Sequence, residues 1–340
     1  MLYIADNNTD PYWNLAAEEY LLKELDRPVF RLWRNSNSII VGKHQNTMAE
    51  IDINYVKANN IKVVRRLTGG GAVFHDLGNL NFTFIEPYLH KEDCDNMFKR
   101  FTAPIIEAIN SLGVKAYIEG RNDLLIDGRK FSGNAMCIYK NRALQHGTLL
   151  FSASMGNLSA ALKSRPEKFT GKAVQSTISR VTNISEHLSK QITIDEFQKY
   201  LGEYICNRYN SKNSETNSLI ESITPYSYTE ADLNAIEKLR EQKYSQQSWN
   251  FGHSPAYSSY NIKKFKGGLV EFHYTVNKGL ITELEIFGDY FFTKPTHEFV
   301  KEIIGTPHTE EAISGKLAAL NTEEYFSNIS KEEIAGMFFQ

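Results

Sequence analysis

The segment at residues 61–76 constrains the fold most. Ile61, Val63 and Val64 begin an apolar run that passes straight into Arg65-Arg66-Leu67-Thr68. Three consecutive glycines follow (Gly69, Gly70, Gly71), and then Ala72-Val73-Phe74-His75-Asp76. Consecutive glycines let the main chain approach a ligand closely and offer it N–H groups. Arginines beside such a loop suit phosphate, which their planar fork grips bidentately. Neither common nucleotide loop is present. No Lys-Ser/Thr pair follows the glycines, so this is not a Walker A loop. Ala72-Val73-Phe74 reads as a strand and not as a helix start, so it is not a dinucleotide fingerprint. The pattern is strand, glycine loop, strand. On these residues alone, a solvated connection and a phosphate-contacting loop both stand.

The surrounding pattern alternates between two periods. Leu15, Leu21, Leu22 and Leu25 recur at helical spacing, with Asn14 as the expected cap. Strands are predicted over 29–33, 38–41 and 61–65, with a short helix over 52–59. Leu80, Phe82 and Phe84 alternate with Asn79, Asn81 and Thr83, which predicts a half-buried strand. Met97, Phe98, Phe101, Ile105, Ile106, Ile109 and Leu112 form one stripe of a helix over 96–112. Gly113 stops it, and Pro104 should kink it or start it anew. Strands are then predicted over 114–118, 124–126, 130–139 and 143–151, with hairpin turns at Asp127-Gly128 and Lys140-Asn141. Residues 157–163 read as a short helix and 165–181 as a polar stretch, either a surface loop or one that covers a ligand. Thr193 with Glu196 and Thr229 with Asp232 mark two further helix starts. Beyond a change of texture at 249–255, Val270, Phe272 and Tyr274 alternate, and helices are expected over 296–304, 309–320 and 331–338. Elements of both kinds interleave without a βαβ rhythm, which predicts an α+β chain with a mixed or antiparallel sheet. The expected division is residues 1–248 and a small α+β unit at 253–340.

Composition narrows the class. The 340 residues are 41% hydrophobic and 23% charged, ordinary values for packed domains. With 38 basic and 40 acidic side chains the net charge is −2, so no nucleic-acid footprint is visible. No apolar run approaches 18 residues and no signal peptide is read at the start, so neither membrane nor export is expected. Three cysteines (Cys94, Cys137, Cys206) are too few and odd for a disulfide framework, and a cytoplasmic setting is expected.

Three further groups bear on chemistry. In the hairpin at 120–135, Lys130, Ser132 and Asn134 fall on one face by alternation, and Phe131, Gly133 and Ala135 on the other. Asn122 and Asp123 at its entrance offer oxygens suited to Mg²⁺. The other reading makes Lys130 a solvated edge charge, as most hairpin lysines are, and Asp123 only a turn cap. His146, in Gln145-His146-Gly147-Thr148, and likewise His44 and His75, are either ligand contacts or hydrogen-bonded core residues. Cys137 is either an acyl-accepting thiol near Lys130 or a small core hydrophobe.

In order, the chain carries Arg-Arg-Leu-Thr-Gly-Gly-Gly-Ala-Val-Phe-His-Asp (65–76), Gly-Asn-Leu-Asn-Phe-Thr-Phe (78–84) and Gly-Arg-Asn-Asp (120–123). Asp-Gly-Arg-Lys-Phe-Ser-Gly-Asn-Ala (127–135) and His-Gly-Thr-Leu-Leu (146–150) follow. Together these resemble the bacterial lipoate–protein ligases of the two-domain type, along nearly the whole chain. The resemblance implies a catalytic domain of the biotin/lipoate protein ligase type and a small C-terminal accessory domain. It implies ATP-dependent activation of lipoate to lipoyl-AMP, then transfer of the lipoyl group to a lysine of a carrier domain. It places Arg66, Gly71, Ala72, Val73, Phe74, Asn122, Asp123 and Lys130 at ATP or the adenylate. Lys130, Thr68, Gly70, His75 and His146 fall at lipoate, and Lys130 is the catalytic cation. Asp123 is the candidate Mg²⁺ ligand. Leu67, Val73 and Leu149 are expected to wall the lipoyl tail, and residues 165–180 to match a loop over the adenylate. The implied partners are apo lipoyl domains of 2-oxoacid dehydrogenase E2 subunits and the glycine cleavage H protein, with no nucleic acid and no membrane. Two other readings share the motifs: an octanoyl or lipoyl transferase working through Cys137, and a non-catalytic adenylate-binding relative. Every candidate residue lies before position 182.

Overall fold

The computed structural model describes residues 1–45, 47–51, 53–88, 94–120, 122–154, 156, 162, 181–211, 220, 222–251, 259–277 and 280–339. The expectations at 157–161, 163 and 165–180, at Arg121, and across 252–255 therefore lie outside the described residues.

An eight-stranded mixed sheet organises the larger part. Its strands are β1 (Leu2–Ala5), β2 (Val29–Trp33), β6 (Asn79–Pro87), β7 (Ala116–Glu119), β8 (Asp123–Ile126), β9 (Arg129–Tyr139), β10 (Arg142–Leu150) and β11 (Thr224–Pro225), in the order β11-β1-β2-β6-β10-β9-β8-β7. β1 runs parallel to both β2 and β11, and the remaining pairs are antiparallel. A second sheet, β4-β3-β5, joins β3 (Ser38–Val41) to β4 (Lys62–Arg65) in parallel and to β5 (Val73–His75) antiparallel. The glycine loop is the crossing from β4 to β5, so it is held at both ends by the same neighbour strand.

Helix α1 (Pro11–Lys23) covers one face of the large sheet, and helix Cys94–Asn110 covers the other with Ile194–Asn210. Met97, Phe98, Phe101, Ile105 and Ile109 pack with Phe30, Leu32, Phe82 and Phe84. Each such side chain contributes about 1.5–3 kcal/mol on burial. Pro104 sits inside that helix, which continues through it. The alternation of β6 is real, but the strand is not half-buried: Asn79, Asn81 and Thr83 are as buried as the phenylalanines, Thr83 against Glu18 of α1 and Asn79 hydrogen-bonded to Asn81. Asn14 does not cap α1. Asp10 does, accepting from the Tyr12 N–H, since Pro11 fixes the first helical φ and needs no partner for a missing N–H. The capping boxes at Thr193/Glu196 and Thr229/Asp232 form as their spacing predicts.

Residues 259–339 build a separate core around an antiparallel sheet of β12 (Ser259–Phe265), β13 (Gly268–Asn277) and β14 (Leu280–Gly288). Helices Thr296–Ile303, Glu310–Ala318 and Lys331–Gly336 back it, and Phe272, Phe299, Phe326 and Phe338 fill the space between. Among the described residues no helix is long and apolar enough to cross a membrane.

Candidate active site

A cavity of about 360 Å³ opens where β5, β6, β9 and β10 face α1 and the glycine loop. Its wall is partly apolar, with Leu15, Trp33, Ile40, Val73 and Ala135. Arg66, Asn122, Asp123 and Lys130 line it too, with Gly70 and Gly71. His75, Asn81, His146, Gly147 and Thr148 complete the polar wall. Of the sequence candidates, the cavity thus gathers Arg66, Gly70, Gly71, Ala72, Val73, His75, Asn122, Asp123, Lys130 and His146. Thr68, Phe74, Leu67 and Leu149 stand behind its wall. Phe74 lies in the core of the small sheet and Leu149 in that of the large one.

The glycine loop is held from beneath by Arg66. Its Nη2 donates to the carbonyls of Gly69 (2.6 Å) and Gly71 (2.9 Å), its Nη1 to Ile40 O (3.0 Å) and its Nε to Thr68 Oγ1 (2.9 Å). Burial lowers its guanidinium to about 10, where it is still charged at neutral pH. Arg66 is thus as much the scaffold of the loop as a free phosphate ligand. Gly70 has φ +89°, a conformation that costs any other residue about 1–2 kcal/mol.

Two buried hydrogen-bond chains tie this loop and its neighbours to α1. In the first, Glu18 accepts from Thr83 Oγ1 (2.5 Å) and from His146 Nδ1 (3.0 Å), and His146 Nε2 meets Thr68 Oγ1 (2.8 Å). Burial pushes the Glu18 carboxyl up, but His146, Thr83 and Arg31 outweigh it and hold it below its ordinary value. Trp33 Nε1 donates to the same Thr83 hydroxyl at 2.9 Å, which fixes the indole in the apolar wall. The second chain settles a tautomer. Arg31 can only donate, and its Nη2 does so to Asn14 Oδ1. Asn14 Nδ2 therefore donates to Asn35 Oδ1 (2.9 Å), and Asn35 Nδ2 donates to His75 Nδ1 (3.1 Å). His75 must carry its proton on Nε2, a buried atom with no hydrogen-bond partner. Burial, with Arg66 and His146 nearby, lowers the ring to about 3, so it is neutral.

Lys130 owes its direction to a bulge. Leu124 pairs with Ser132 but Leu125 pairs with Lys130, so Phe131 is the extra residue and turns into the core. Strict alternation therefore fails here. Lys130, Gly133, Asn134 and Ala135 reach the cavity while Ser132 does not. Gly133 leaves the space that Lys130 uses: a Cβ there would stand 3.0 Å from Nζ. The ammonium pairs with Asp123 Oδ1 at 2.7 Å. The predicted Asp127-Gly128 turn holds this hairpin, both residues having positive φ. Asp123 brings one carboxylate. Among the described residues no trio of His, Cys, Asp or Glu could hold a metal. The donor set suits an ion that arrives on phosphates and keeps its waters.

Cys137 does not reach the cavity. It packs with Leu2, Leu21, Leu22, Val29, Ile85 and Leu144, and burial pushes its thiol up to about 12. A thiolate nucleophile is not available there.

Sequence reasoning missed several residues of the site. Glu18 and Asn14, behind the wall, had a signal, because they share the helical stripe of Leu15, Leu21, Leu22 and Leu25, where polar residues mean buried partners. Lys264, Asp289 and Phe291 had none, and they lie beyond position 182, where no site residue was expected. All three line the cavity from the C-terminal part.

The chain matches two family descriptions, "Lipoyl protein ligase A/B catalytic domain" over residues 10–206 and "Bacterial lipoate protein ligase C-terminus" over residues 254–338. It is 40% identical to the lipoate-protein ligase LplJ of Bacillus subtilis across 100% of both chains. Its fold is similar to that of P. falciparum LipL1 in complex with lipoate, with a TM-score of 0.77, 25% identity and 98% of each chain covered. A lipoate-protein ligase A bound with ATP superposes with a TM-score of 0.62 at 26% identity, over 74% of this chain and 98% of that one. Catalytic part and C-terminal part are thus matched in one chain, and this protein belongs to the lipoate–protein ligase family and is a ligase.

Proposed function

We propose that this cavity activates lipoate with ATP and passes the lipoyl group to a lysine of an apo lipoyl domain, such as those of 2-oxoacid dehydrogenase E2 subunits or the H protein. The observation that carries this reading is that one cavity is lined both by apolar side chains (Leu15, Trp33, Ile40, Val73) and by the cations Lys130 and Arg66. The apolar side chains suit a short acyl tail with a dithiolane ring, at roughly 0.8 kcal/mol per buried CH₂. The cations suit a carboxylate beside phosphates.

In this reading a lipoate carboxylate oxygen attacks the α-phosphorus, and the bond from that phosphorus to the bridging oxygen breaks. Pyrophosphate leaves with the electron pair. Lys130 holds its ammonium between carboxylate and α-phosphate, where negative charge grows. Gly70 and Gly71 present main chain to the phosphates, and the neutral His75 offers its Nε2–H to the substrate. His146 and Thr68 act through the wall, by keeping Arg66 and the loop in place. Mg²⁺ arriving on the nucleotide would be held by Asp123, with the Asn122 amide oxygen nearby, and would neutralise phosphate charge. The carrier's neutral lysine amine then attacks the acyl carbon of the mixed anhydride. AMP leaves, and the ammonium formed loses its proton to solvent. These steps need positioning and charge more than a protein nucleophile. Residues 1–248 are the catalytic part in this account and 253–340 the accessory part.

The test is direct. The protein with MgATP should release pyrophosphate only when lipoate is added, and lipoyl-adenylate should be recoverable. Pyrophosphate release that ignores lipoate would refute the assignment.

A further inference from the structure

The wall of the cavity includes a cation that comes from the other part of the chain. The segment after β14 is pressed against the glycine loop. Gly288 N donates to His44 O, a Cβ at Gly69 would stand 2.5 Å from Tyr290 O, and Phe291 meets Phe98 edge-on at 5.5 Å. That docking brings Asp289 beside the loop: a Cβ at Gly71 would stand 3.8 Å from its Oδ2. Lys264, on β12, reaches the same cavity and faces Asp289 Oδ1 at 3.5 Å. The carboxylate is anchored elsewhere as well, because Asp289 Oδ1 takes the Leu269 N–H. Lys264 therefore has a long ion pair and three donors, in the same cavity as Arg66 and Lys130. The other two cations there are more fully engaged. Arg66 holds loop carbonyls, and Lys130 is paired with Asp123 at 2.7 Å.

We propose that Lys264 is a binding cation for the nucleotide's outer phosphates, supplied to the activation step by the docked C-terminal part. This rests on the function proposed above. A compact ammonium suits phosphate oxygens whose charge grows as pyrophosphate departs. Lys264 is an ammonium before and after and moves no proton. Once pyrophosphate has gone, its ligand has gone too, so the inference predicts a split between the two half-reactions.

The experiment uses the full chain with Lys264→Ala, Lys264→Arg and, as a control on the opposite face of the same strand, Lys263→Ala. Lipoate-dependent pyrophosphate release is measured against ATP and against lipoate. Transfer is measured separately from synthetic lipoyl-adenylate to an apo lipoyl domain. Lys264→Ala should lower kcat/KM for ATP 30- to 100-fold and leave the KM for lipoate within twofold. Lys264→Arg should recover part of the loss, and transfer from supplied adenylate should fall no more than twofold. Lys263→Ala should match wild type. Unchanged pyrophosphate release by Lys264→Ala would overturn the inference. So would an equal loss in both half-reactions, which would make Lys264 a structural contact. A wild-type protein that releases no pyrophosphate with lipoate would overturn the proposed function itself, and the inference with it.

Discussion

Removing the Lys130 ammonium gives a loss that can be estimated from its surroundings. The side chain is 38% exposed and its partner Asp123 is 39% exposed, so the site is neither bulk water nor dry interior. A unit charge 4 Å from growing charge is worth about 1 kcal/mol in water and about 4 kcal/mol at an effective dielectric near 20. An intermediate value of about 2–3 kcal/mol corresponds to roughly a 30- to 150-fold drop. Lys130→Ala also leaves Asp123 unpaired, at 2.7 Å from where the ammonium stood and facing the incoming phosphates. That adds about 1 kcal/mol of repulsion by the same arithmetic. Lipoate-dependent pyrophosphate release should therefore fall about 10²- to 10³-fold in kcat/KM. The double variant Lys130→Ala/Asp123→Asn should do no better than Lys130→Ala, because the carboxylate it removes would also hold Mg²⁺. Lys130→Arg should also be poor, because a planar fork does not fit the space beside Gly133. A Lys130→Ala protein within threefold of wild type would refute the role.

Other outcomes follow from single features. Gly70→Val should stay folded by circular dichroism but lose pyrophosphate release at least 10²-fold, since φ is +89° and its Cβ would stand 3.0 Å from Arg66 Nη2. Cys137→Ala should keep ligation within twofold, because the thiol is buried and pushed up to about 12; an inactive Cys137→Ala protein would revive the acyl-relay reading. Stability should fall as pH drops through the histidine range. His75 is lowered to about 3 by burial, and His44 well below its ordinary 6.5 by burial with Lys43 and Arg65 nearby. The unfolded chain takes up both protons below about pH 6.5 while the native state refuses them. Stability is thus intact above that value and is lost below it, by about 2 kcal/mol for each histidine between pH 7.5 and 5. Urea unfolding at the two pH values checks this, and equal midpoints would contradict it.

Local rules carried the sequence reading far. The capping boxes, the Asp127-Gly128 turn and the apolar stripe of Cys94–Asn110 each depend on neighbours within a few residues, and each formed where its spacing placed it. The failures share a cause. The α1 cap was misplaced because Pro11 makes Asp10 the better start, while Asn14 is spent on Asn35 and Arg31. The face of Lys130 was misread because a bulge at Phe131 breaks alternation, and nothing in the residues announces it. Asn79, Asn81 and Thr83 looked solvated because a polar alternate face ordinarily is. Here Glu18 of α1 meets Thr83, and Asn81 lines the cavity. Lys264 and Asp289 were invisible because their place depends on how two separately cored parts pack, which no short-range pattern encodes.

The central claim is that this cavity joins lipoate to a carrier lysine at the expense of ATP. The most direct measurement is the mass of an apo lipoyl domain after incubation with this protein, lipoate and MgATP, beside a reaction lacking ATP. One lipoyl group should be added in the complete reaction and none without ATP. Modification that proceeds without ATP, or an unmodified domain in the complete reaction, would contradict the account.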